Sequence, residues 1–293
     1  MPKIAVAIIH GIGAQKPNFA EPMRKELTKR FAALIEGLAT RPAAELVIEP
    51  VYWAEVLQAE EDKLWACLAT GSRMNYKALR RFMVNFAADA IAYQPAPRER
   101  NAYEKIHQEF ARTLNRLAAA AGAGAPLVVI AHSLGTVITS NFLYDLQKQT
   151  ENRRRRFLPA AVRQTMAATP LTWGETFTAF YTFGSPIALW SLRYREFGQP
   201  IRVPSPALAA HHPHLPAVAE WINFYDPDDI IGYPLKQLNE AYRAVVTEDR
   251  RVNVGGALSS WNPLSHNAYW TDNDVTKPIA AGLARLWQRA NGL

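Results

Sequence analysis

Ser133 stands in a sequence context that could make it a nucleophile. It lies in the stretch PLVVIAHSLG (126–135), in which five apolar residues rich in β-branched types precede a His-Ser pair. Such a short apolar run predicts a strand that is buried on both faces. The residues that follow, LGTVITSNFLYDLQKQ, predict a helix, so Ser133 is expected at a sharp turn from a strand into a helix.

The neighbours of Ser133 fit the nucleophile-elbow pattern small-x-Ser-x-small. Ala131 and Gly135 lie two residues before and two residues after the serine. Small side chains there avoid clashes where a strained turn presents the serine oxygen above a sheet. Ala131 takes the place of the usual first glycine, which is a mild departure. The alternative is that Ser133 only caps the helix, a role that does not require small neighbours.

A serine nucleophile needs a histidine base, and folds that use this elbow place serine, acid and histidine in that order along the chain. The histidines after the serine are His211, His212, His214 and His266. The first three form HHPH in a Pro-rich loop, before any acid at a strand end, and their spacing fits no metal-binding pattern. We expect no metal, and we predict that His266 is the base. Its alternative role is that of a packed or solvated loop histidine.

The acid is expected in the loop after the fifth strand, INFYDPDDIIGYP. Asp226 precedes a proline and is expected to shape the turn. Asp228 or Asp229 is expected to orient the histidine, and the pattern does not separate the two.

Acyl transfer also needs two backbone N–H groups that stabilise the oxyanion. Leu134, directly after the serine, is expected to supply one of them. The segment HGIG (10–13) after the first strand is expected to supply the other, because its glycines let the backbone approach the substrate closely. Ile12 is the predicted donor, and Gly11 is the next candidate. The segment lacks the G-x-x-x-x-G-K-[ST] pattern of a phosphate-binding loop.

These motifs together resemble the lipase and esterase branch of the α/β-hydrolase superfamily. HGIG is similar to the oxyanion segment of bacterial lipases, which supports Ile12 as a donor, and AHSLG is similar to their elbow. YTFGSP (181–186) and DDIIGYPL (228–235) resemble stretches of the fungal-type class 3 lipases. The resemblance to those lipases implies that Asp229, directly before the apolar pair, is the acid. Ser185 in FGSP lacks the small-residue frame and is expected to be structural.

Strand-like and helix-like stretches alternate along the chain. The expected strands are 3–10, 45–53, 127–131, 176–186, 219–229 and 250–256, and the first and last helices are expected at about 19–38 and 277–290. Alternation of this kind predicts an α/β fold with a mostly parallel central sheet and helices on both faces, here as one domain over 1–293. Sites in such sheets form at the carboxyl ends of the strands. The family resemblance implies the α/β-hydrolase fold.

Two segments are expected to cap the site. Residues 54–121 carry apolar side chains at spacings of three and four, which predicts a helical insert. Residues 150–176 are polar and basic, and form a candidate lid. The aromatic content of the two segments suggests an apolar acyl pocket. The alternative is that they are ordinary core helices.

Composition narrows the class of protein. The chain has 293 residues, of which 49% are hydrophobic, and a net charge of +7. Because Cys67 is the single cysteine, an internal disulfide is excluded; Cys67 lies in the helical stretch DKLWACLA and is expected to serve in packing. No apolar run is long enough to span a bilayer, and the N-terminus lacks signal-peptide features, so we expect a soluble cytoplasmic protein.

A run of four basic residues is expected to form a solvated loop or to contact an anionic lipid surface. It consists of Arg153, Arg154, Arg155 and Arg156. No basic surface interleaved with aromatic residues accompanies the run, so no nucleic-acid partner is expected.

The sequence therefore predicts a serine hydrolase that cleaves carboxylic esters through Ser133, Asp229 and His266, without a metal or organic cofactor. Two other functions stay open. One is an acyltransferase that uses the same triad but passes the acyl group to an alcohol. The other is a non-catalytic binding protein with a hydrolase-like fold. Acyl chain length and oligomeric state are not fixed by these motifs.

Overall fold

The computed structural model of the chain describes residues 2–12, 15–70, 75–94, 102–152, 154–255 and 263–293. Within these residues, six strands form one sheet in which all neighbours are parallel, in the order β2-β1-β3-β4-β5-β6. The strands are β1 (Ile4–Ile9), β2 (Leu46–Val51), β3 (Leu127–His132), β4 (Phe177–Phe183), β5 (Glu220–Tyr225) and β6 (Glu248–Arg251). The predicted α/β class with a parallel central sheet is confirmed.

Helices occupy most of the connections between the strands. In the described ranges they are α1 (Glu21–Leu34), α2 (Gln58–Ala69), α3 (Lys77–Ala92), α4 (Ala102–Ala121), α5 (Leu134–Glu151), α6 (Ala160–Thr165), α7 (Ile187–Ser191), α8 (Leu208–His211), α9 (Glu240–Val245) and α10 (Asn273–Ala290). None of the helices described has both the length and the apolar character needed to cross a membrane.

Both faces of the sheet are covered by helices, as the alternation predicts. The even-numbered side chains of β1 pack with α1 and α10, and the odd-numbered ones pack with α4 and α5. Every residue of β1 is fully buried. A strand that contacts helices on both faces must be apolar along its whole length, which is why β1 reads as a continuous apolar run rather than an alternating one.

The strand order creates a crevice next to β1. After β1 the chain adds β2 on one side, and it then returns to add β3 on the other side. In open parallel sheets such a reversal separates the connections at the carboxyl ends of the two strands, and ligands bind there. Gly11 and Ile12 follow β1, and Ser133 follows β3. The predicted oxyanion segment and the predicted nucleophile therefore lie at the same crevice.

Several element boundaries differ from those predicted, and two of the differences have a clear local cause. The sixth strand begins earlier than the expected 250–256, because its pairing with β5 starts at Glu248. The last helix begins at Asn273 rather than near 277, because the carboxylate of Asp272 accepts the N–H of Asp274 at 2.7 Å and caps the N-terminus. Pro278 then lies inside the second turn instead of at the start.

The helical insert 54–121 has two parts with different surroundings. Helix α4 packs against β1 and β2 and contributes core residues such as Ile106 and Phe110, which matches the alternative of an ordinary core helix. Helices α2 and α3 contact each other, and most of α2 is exposed. Cys67 lies on α2 as expected but is exposed, so the expectation that it serves in packing is wrong.

Segment 150–176 is not placed where a lid over Ser133 would have to lie. It connects the carboxyl end of α5 to the amino end of β4. The N–H of Leu171 within it donates to the carbonyl of Ala123, just before β3, at 2.9 Å. The segment thus lies at the amino ends of the strands, opposite to Ser133, and the lid prediction is wrong.

Candidate active site

Ser133 adopts a backbone conformation that L-residues rarely occupy. Its φ is 53° and its ψ is −131°, at the junction between β3 and α5. A side chain in this region is strained, and such strain is found mainly at functional sites. The predicted turn from strand to helix is confirmed.

Two glycines allow neighbouring chain segments to approach this turn. A Cβ atom on Gly135 would lie 2.5 Å from the carbonyl oxygen of His10. The predicted reason for a small residue at this position, avoidance of a clash at the turn, is therefore confirmed. A Cβ atom on Gly11 would lie 2.4 Å from the Cβ of Ser133. The backbone after β1 therefore lies directly against the serine.

Ser133, His266 and Asp229 form a continuous hydrogen-bonded chain. The Nε2 atom of His266 lies 2.8 Å from the Oγ atom of Ser133. The Nδ1 atom of His266 lies 2.9 Å and 3.0 Å from the two carboxylate oxygens of Asp229. Because Nδ1–H donates to the carboxylate, Nε2 is left to accept the serine proton. The three residues are 0%, 1% and 3% exposed, so the chain is shielded from water.

The loop after β5 distinguishes the two candidate acids. Asp229 is buried against His266, whereas Asp228 is exposed to solvent. Asp226 holds the turn, because its carboxylate accepts the N–H of Asp228 at 2.8 Å and the N–H of Val254 at 2.6 Å. The prediction that Asp226 shapes the turn is confirmed, and Asp229 is the acid that contacts the histidine.

The hydrogen bonds around Asp229 favour its ionised form. Burial raises the pKa of this carboxyl group, but hydrogen bonds from His266, the N–H of Ile231 and the phenol of Tyr269 outweigh burial, so the pKa lies below its usual value. A carboxylate that accepts several hydrogen bonds in a buried place stays charged at neutral pH.

Tyr269 links the acid loop to the histidine loop. Its hydroxyl donates to Asp229 at 2.9 Å and accepts the N–H of Asp226 at 3.0 Å. Tyr269 and His266 lie three residues apart in a 3-10 helix that spans Pro263–Thr271. Residues at that spacing lie on the same side of a 3-10 helix. The role of Tyr269 was not predicted from the sequence, although its spacing from His266 was the available signal.

His132 holds the backbone of His266. Its Nε2 atom donates to the carbonyl of His266 at 2.7 Å, and its ring contacts Phe183 and Trp270. Burial lowers the pKa of His132 to about 3, so its ring is neutral. This role was not predicted, because the local sequence around His132 does not indicate which distant residue its side chain contacts.

His10 fixes the segment after β1. Its Nδ1–H donates to the carbonyl of Gly11 at 2.8 Å, and its Nε2 accepts the N–H of Trp53 at 3.1 Å. The indole N–H of Trp53 donates back to the carbonyl of His10 at 3.1 Å. Burial lowers the pKa of His10 to about 3. The end of β2 therefore orients the predicted oxyanion segment.

The two predicted oxyanion donors belong to the two chain segments that meet at the serine, because Leu134 follows Ser133 directly and Ile12 follows Gly11, whose backbone lies against the serine. Leu134 begins α5, and Ile12 is three residues beyond the end of β1. In the described part of the chain, neither backbone N–H has a hydrogen-bond partner. The last glycine of HGIG, Gly13, lies outside the described residues. Two free N–H groups beside a serine hydroxyl can stabilise negative charge on a carbonyl oxygen.

The FGSP turn at the end of β4 packs against His266, but its serine does not bond to any of the three residues Ser133, His266 and Asp229 in the described structure. Gly184 has a φ of 55°, and a Cβ atom there would lie 2.9 Å from Cε1 of His266. Ser185 bonds to the hydroxyl of Thr136 at 2.9 Å and to the N–H of Ile187 at 3.3 Å. The bonds of Ser185 agree with the structural role expected for it. Gly184 was not predicted, although the approach of His266 requires a residue without a side chain there.

The arginine run and the histidines of HHPH do not contact Ser133, His266 or Asp229 in the described part of the chain. Arg154, Arg155 and Arg156 are exposed after α5, and Arg153 lies outside the described residues. In the HHPH loop, Nε2 of His211 contacts Glu175 at 2.9 Å, and Nε2 of His212 donates to the carbonyl of Gly124 at 2.7 Å. Among the residues described, no group of three or more metal-ligating side chains could hold an ion.

The arrangement can carry out nucleophilic acyl transfer. It contains a hydroxyl, a base that accepts its proton, a carboxylate that orients the base, and two backbone N–H groups near the serine turn that have no partner among the described residues. Comparison with models of known protein families and with curated proteins finds no match for this chain. The assignment of function therefore depends on the geometry of the site.

Proposed function

We propose that the protein is a serine hydrolase of the α/β-hydrolase type that cleaves carboxylic esters. The observation that carries the proposal is the chain of hydrogen bonds from Asp229 through His266 to Ser133. The order of strands supports it as well, because the serine follows β3, the acid follows β5 and the histidine follows β6. This is the order in which α/β-hydrolases place these residues.

The proposed reaction begins with attack on the ester carbonyl. The Oγ atom of Ser133 bonds to the carbonyl carbon while its proton moves to Nε2 of His266. Asp229 keeps the imidazole oriented and stabilises the imidazolium that forms. The carbonyl oxygen becomes an oxyanion and accepts hydrogen bonds from the N–H groups of Ile12 and Leu134. Each such donor typically lowers the barrier by about 3 kcal/mol.

The tetrahedral intermediate then collapses. The bond between the carbonyl carbon and the alkoxy oxygen breaks, and the alcohol leaves with the proton from His266. A water molecule next attacks the acyl-enzyme, gives its proton to His266 and releases the carboxylic acid from Ser133. The serine recovers its proton, so the enzyme returns to its starting state.

Access of substrate requires a local opening, because Ser133 has no exposed surface. Closed sites that exclude water strengthen the electrostatic interactions within them. We expect the opening to precede acylation and to leave the triad hydrogen bonds intact.

Hydrolysis of 4-nitrophenyl acetate by the wild-type protein and by Ser133→Ala tests the proposal. The wild type is expected to show saturable hydrolysis, and Ser133→Ala is expected to lose at least about a thousandfold in kcat. Ser185→Ala is the control, because it removes the rival serine. A Ser133→Ala protein that keeps the wild-type rate would exclude Ser133 as the nucleophile.

A further inference from the structure

A cavity of about 450 Å³ lies at the amino ends of the strands, at the opposite end of the sheet from Ser133. Most of its wall comes from segment 150–176, and the rest comes from the carboxyl end of α5. The expectation that this segment helps to form an acyl pocket beside the serine is wrong, because the cavity that it lines is remote. Gln149 in the wall follows Ser133 by 16 residues on α5, which corresponds to ~24 Å along a helix. The volume is within the range of small-molecule sites.

Two amide side chains hold the cavity wall in place. Asn115 on α4 donates from Nδ2 to the carbonyl of Thr165 at 2.7 Å, and its Oδ1 accepts the N–H of Ala167 at 3.0 Å. Gln149 on α5 donates from Nε2 to the carbonyl of Arg155 at 3.0 Å. The end of α6 is therefore tied to α4, and the arginine run is tied to α5. A wall that is fixed in this way costs little to organise when a ligand binds.

Arg163 on α6 lies in the cavity wall without a partner for its charge. Its Nε atom is enclosed and makes no hydrogen bond, whereas both Nη atoms retain accessible surface and are likewise unbonded within the described residues. Glu175, the other charged residue of the wall, contacts Nε2 of His211 at 2.9 Å. A half-buried charge that lacks a partner costs free energy, and a guanidinium has five N–H groups to donate. Arg163 therefore indicates a negatively charged ligand.

Trp173 supplies a second donor in the same wall. Its ring packs partly against the core, while its Nε1–H retains accessible surface and makes no hydrogen bond in the described ranges of the chain. An indole N–H can only donate. Arg163 and Trp173 thus both require acceptor oxygens. Ala168 and Pro170 also line the cavity and offer apolar surface to the rest of a ligand.

The arginine run adds positive charge at the edge of this cavity. Three of its side chains are exposed and have no ion pair in the part of the chain that the structure describes, namely Arg154, Arg155 and Arg156. Glu151, the acid closest to the run in sequence, is already paired with Lys148 and Arg202. The carboxyl end of α5 opposes this charge with only about half a negative unit. Positive charge is therefore in excess around the cavity.

We propose that this cavity binds the phosphate group of a phosphate monoester, with Arg163 and the indole N–H of Trp173 as the donors. A phosphate monoester carries between about −1.5 and −2 charges at pH 7 and has three acceptor oxygens. It compensates more of the excess charge than a single carboxylate does, and a guanidinium can bind it through two parallel hydrogen bonds. The organic part of the ester contacts the indole ring and the apolar wall. The site is independent of the function proposed for Ser133.

Calorimetry with phenyl phosphate tests the site. The wild type is expected to bind phenyl phosphate about tenfold more tightly than benzoate. Arg163→Gln should weaken the binding of phenyl phosphate at least about tenfold, and Arg163→Lys should lie between this variant and the wild type, because it keeps the charge but loses the planar fork. Arg251→Gln is the matched control, since Arg251 is exposed at the end of β6, and should bind as the wild type does.

A second variant keeps the test valid if Arg163→Gln does not fold. Trp173→Phe preserves an aromatic ring and removes only the indole N–H, so it should weaken binding about fivefold. Circular dichroism of each variant reports whether it is folded. Absence of binding by the wild type at millimolar phenyl phosphate, or equal affinity of the wild type and a folded Arg163→Gln, would overturn the proposal. Loss of binding in Ser133→Ala would also overturn it, because the probe would then lie at the triad.

Sedimentation with vesicles identifies the source of the phosphate. Vesicles of phosphatidylcholine are compared with vesicles that also contain phosphatidic acid, whose headgroup is a phosphate monoester. Binding of phenyl phosphate without binding to either vesicle supports the site with a soluble ligand. Binding to phosphatidic acid that is lost in Arg163→Gln supports the site with a lipid headgroup. Vesicle binding that Arg163→Gln leaves unchanged, in a protein that does not bind phenyl phosphate, would overturn the proposal and assign the arginine run to a lipid surface.

Discussion

The Nε2 atom of His266 lies 2.8 Å from the Oγ atom of Ser133, although 133 residues separate the two along the chain. The two side chains meet because the ends of β3 and β6 face the same edge of the sheet. Separate contacts hold each partner in place. The close approach of Gly11 fixes the serine turn, and His132 and Tyr269 fix the histidine loop.

The two neighbouring aspartates should respond very differently to removal of their charge. Asp229→Asn is expected to lower kcat by about 10⁴-fold, because the amide favours the wrong tautomer of His266. Asp228→Asn is the matched control and should stay within about twofold, because its side chain is exposed. Rates with 4-nitrophenyl acetate measure both. Comparable losses in the two variants would contradict the assignment of the acid.

Gly11 should be intolerant of any side chain. Gly11→Ala would place a Cβ atom 2.4 Å from the Cβ of Ser133, so the segment must move away from the serine. We expect a loss of at least about a hundredfold in kcat, as for removal of one oxyanion donor. Gly124→Ala is the control, because nothing lies within 4 Å of its added Cβ. Full activity of Gly11→Ala would show that this segment does not contact the reacting centre.

The strain at Ser133 should be visible in the stability of the protein. Because φ is 53°, glycine should fit this position better than alanine. After the larger chain entropy of glycine in the unfolded state is allowed for, Ser133→Gly is expected to be more stable than Ser133→Ala by about 1 kcal/mol. Urea denaturation measures the difference. An equal or lower free energy of unfolding for the glycine variant would argue against strain.

The buried histidines should make the protein sensitive to acid. His10, His107 and His132 have pKa values lowered by burial to about 3, against 6.5 for the free side chain. Between these values the unfolded chain binds more protons than the folded one, so the free energy of unfolding falls as pH falls below 6.5. From pH 7 to pH 5 each histidine removes about 2 kcal/mol. Burial raises the pKa of Asp145 to about 6, so the folded chain binds the extra proton there. Asp145 therefore increases the free energy of unfolding as pH falls from 7 to 5, by less than one histidine lowers it.

One variant isolates a single contribution to this pH dependence. His107 lies on α4, remote from the triad, and bonds to the phenol of Tyr93. His107→Phe should reduce the change in unfolding free energy between pH 7 and pH 5 by about 2 kcal/mol. Urea denaturation at the two pH values tests this. A pH dependence as steep as that of the wild type would mean that His107 is not held neutral in the folded state.

Tyr269 should affect the pKa of Asp229 as well as the rate of the reaction. Tyr269→Phe removes one hydrogen bond to Asp229 and leaves the buried N–H of Asp226 without its acceptor. We expect about a tenfold lower kcat, about 1–3 kcal/mol lower stability, and a pKa of Asp229 that moves upward toward its usual value. The chemical shift of the Asp229 carboxyl carbon, followed against pH by NMR, is the specific readout. An unchanged Asp229 titration with reduced stability would indicate a purely structural role.

The chain order of the three triad residues could be predicted because each lies in a local pattern. An apolar strand precedes Ser133, an acidic turn follows β5, and His266 follows the last strand. These patterns depend on residues that are close in sequence. The choice of Asp229 over Asp228 needed the resemblance to lipases, because both residues fit the same turn.

The side chains that hold the oxyanion segment and the histidine loop in place could not be predicted, because their partners are distant in sequence. Trp53 and His10 meet only when β2 pairs with β1, and His132 reaches His266 only after the sheet has formed. The lid prediction failed for a related reason. Composition indicated that segment 150–176 is exposed, but only the connection from α5 to β4 determines at which end of the sheet it lies.

Covalent labelling with a fluorescent fluorophosphonate tests the central claim most directly. The wild type and Ser133→Ala should be labelled side by side, and the modified peptide should be mapped by mass spectrometry. We predict a single label on Ser133 in the wild type and no label on Ser133→Ala. A label on another serine such as Ser185, or equal labelling of the two proteins, would contradict the assignment of Ser133 as an activated nucleophile.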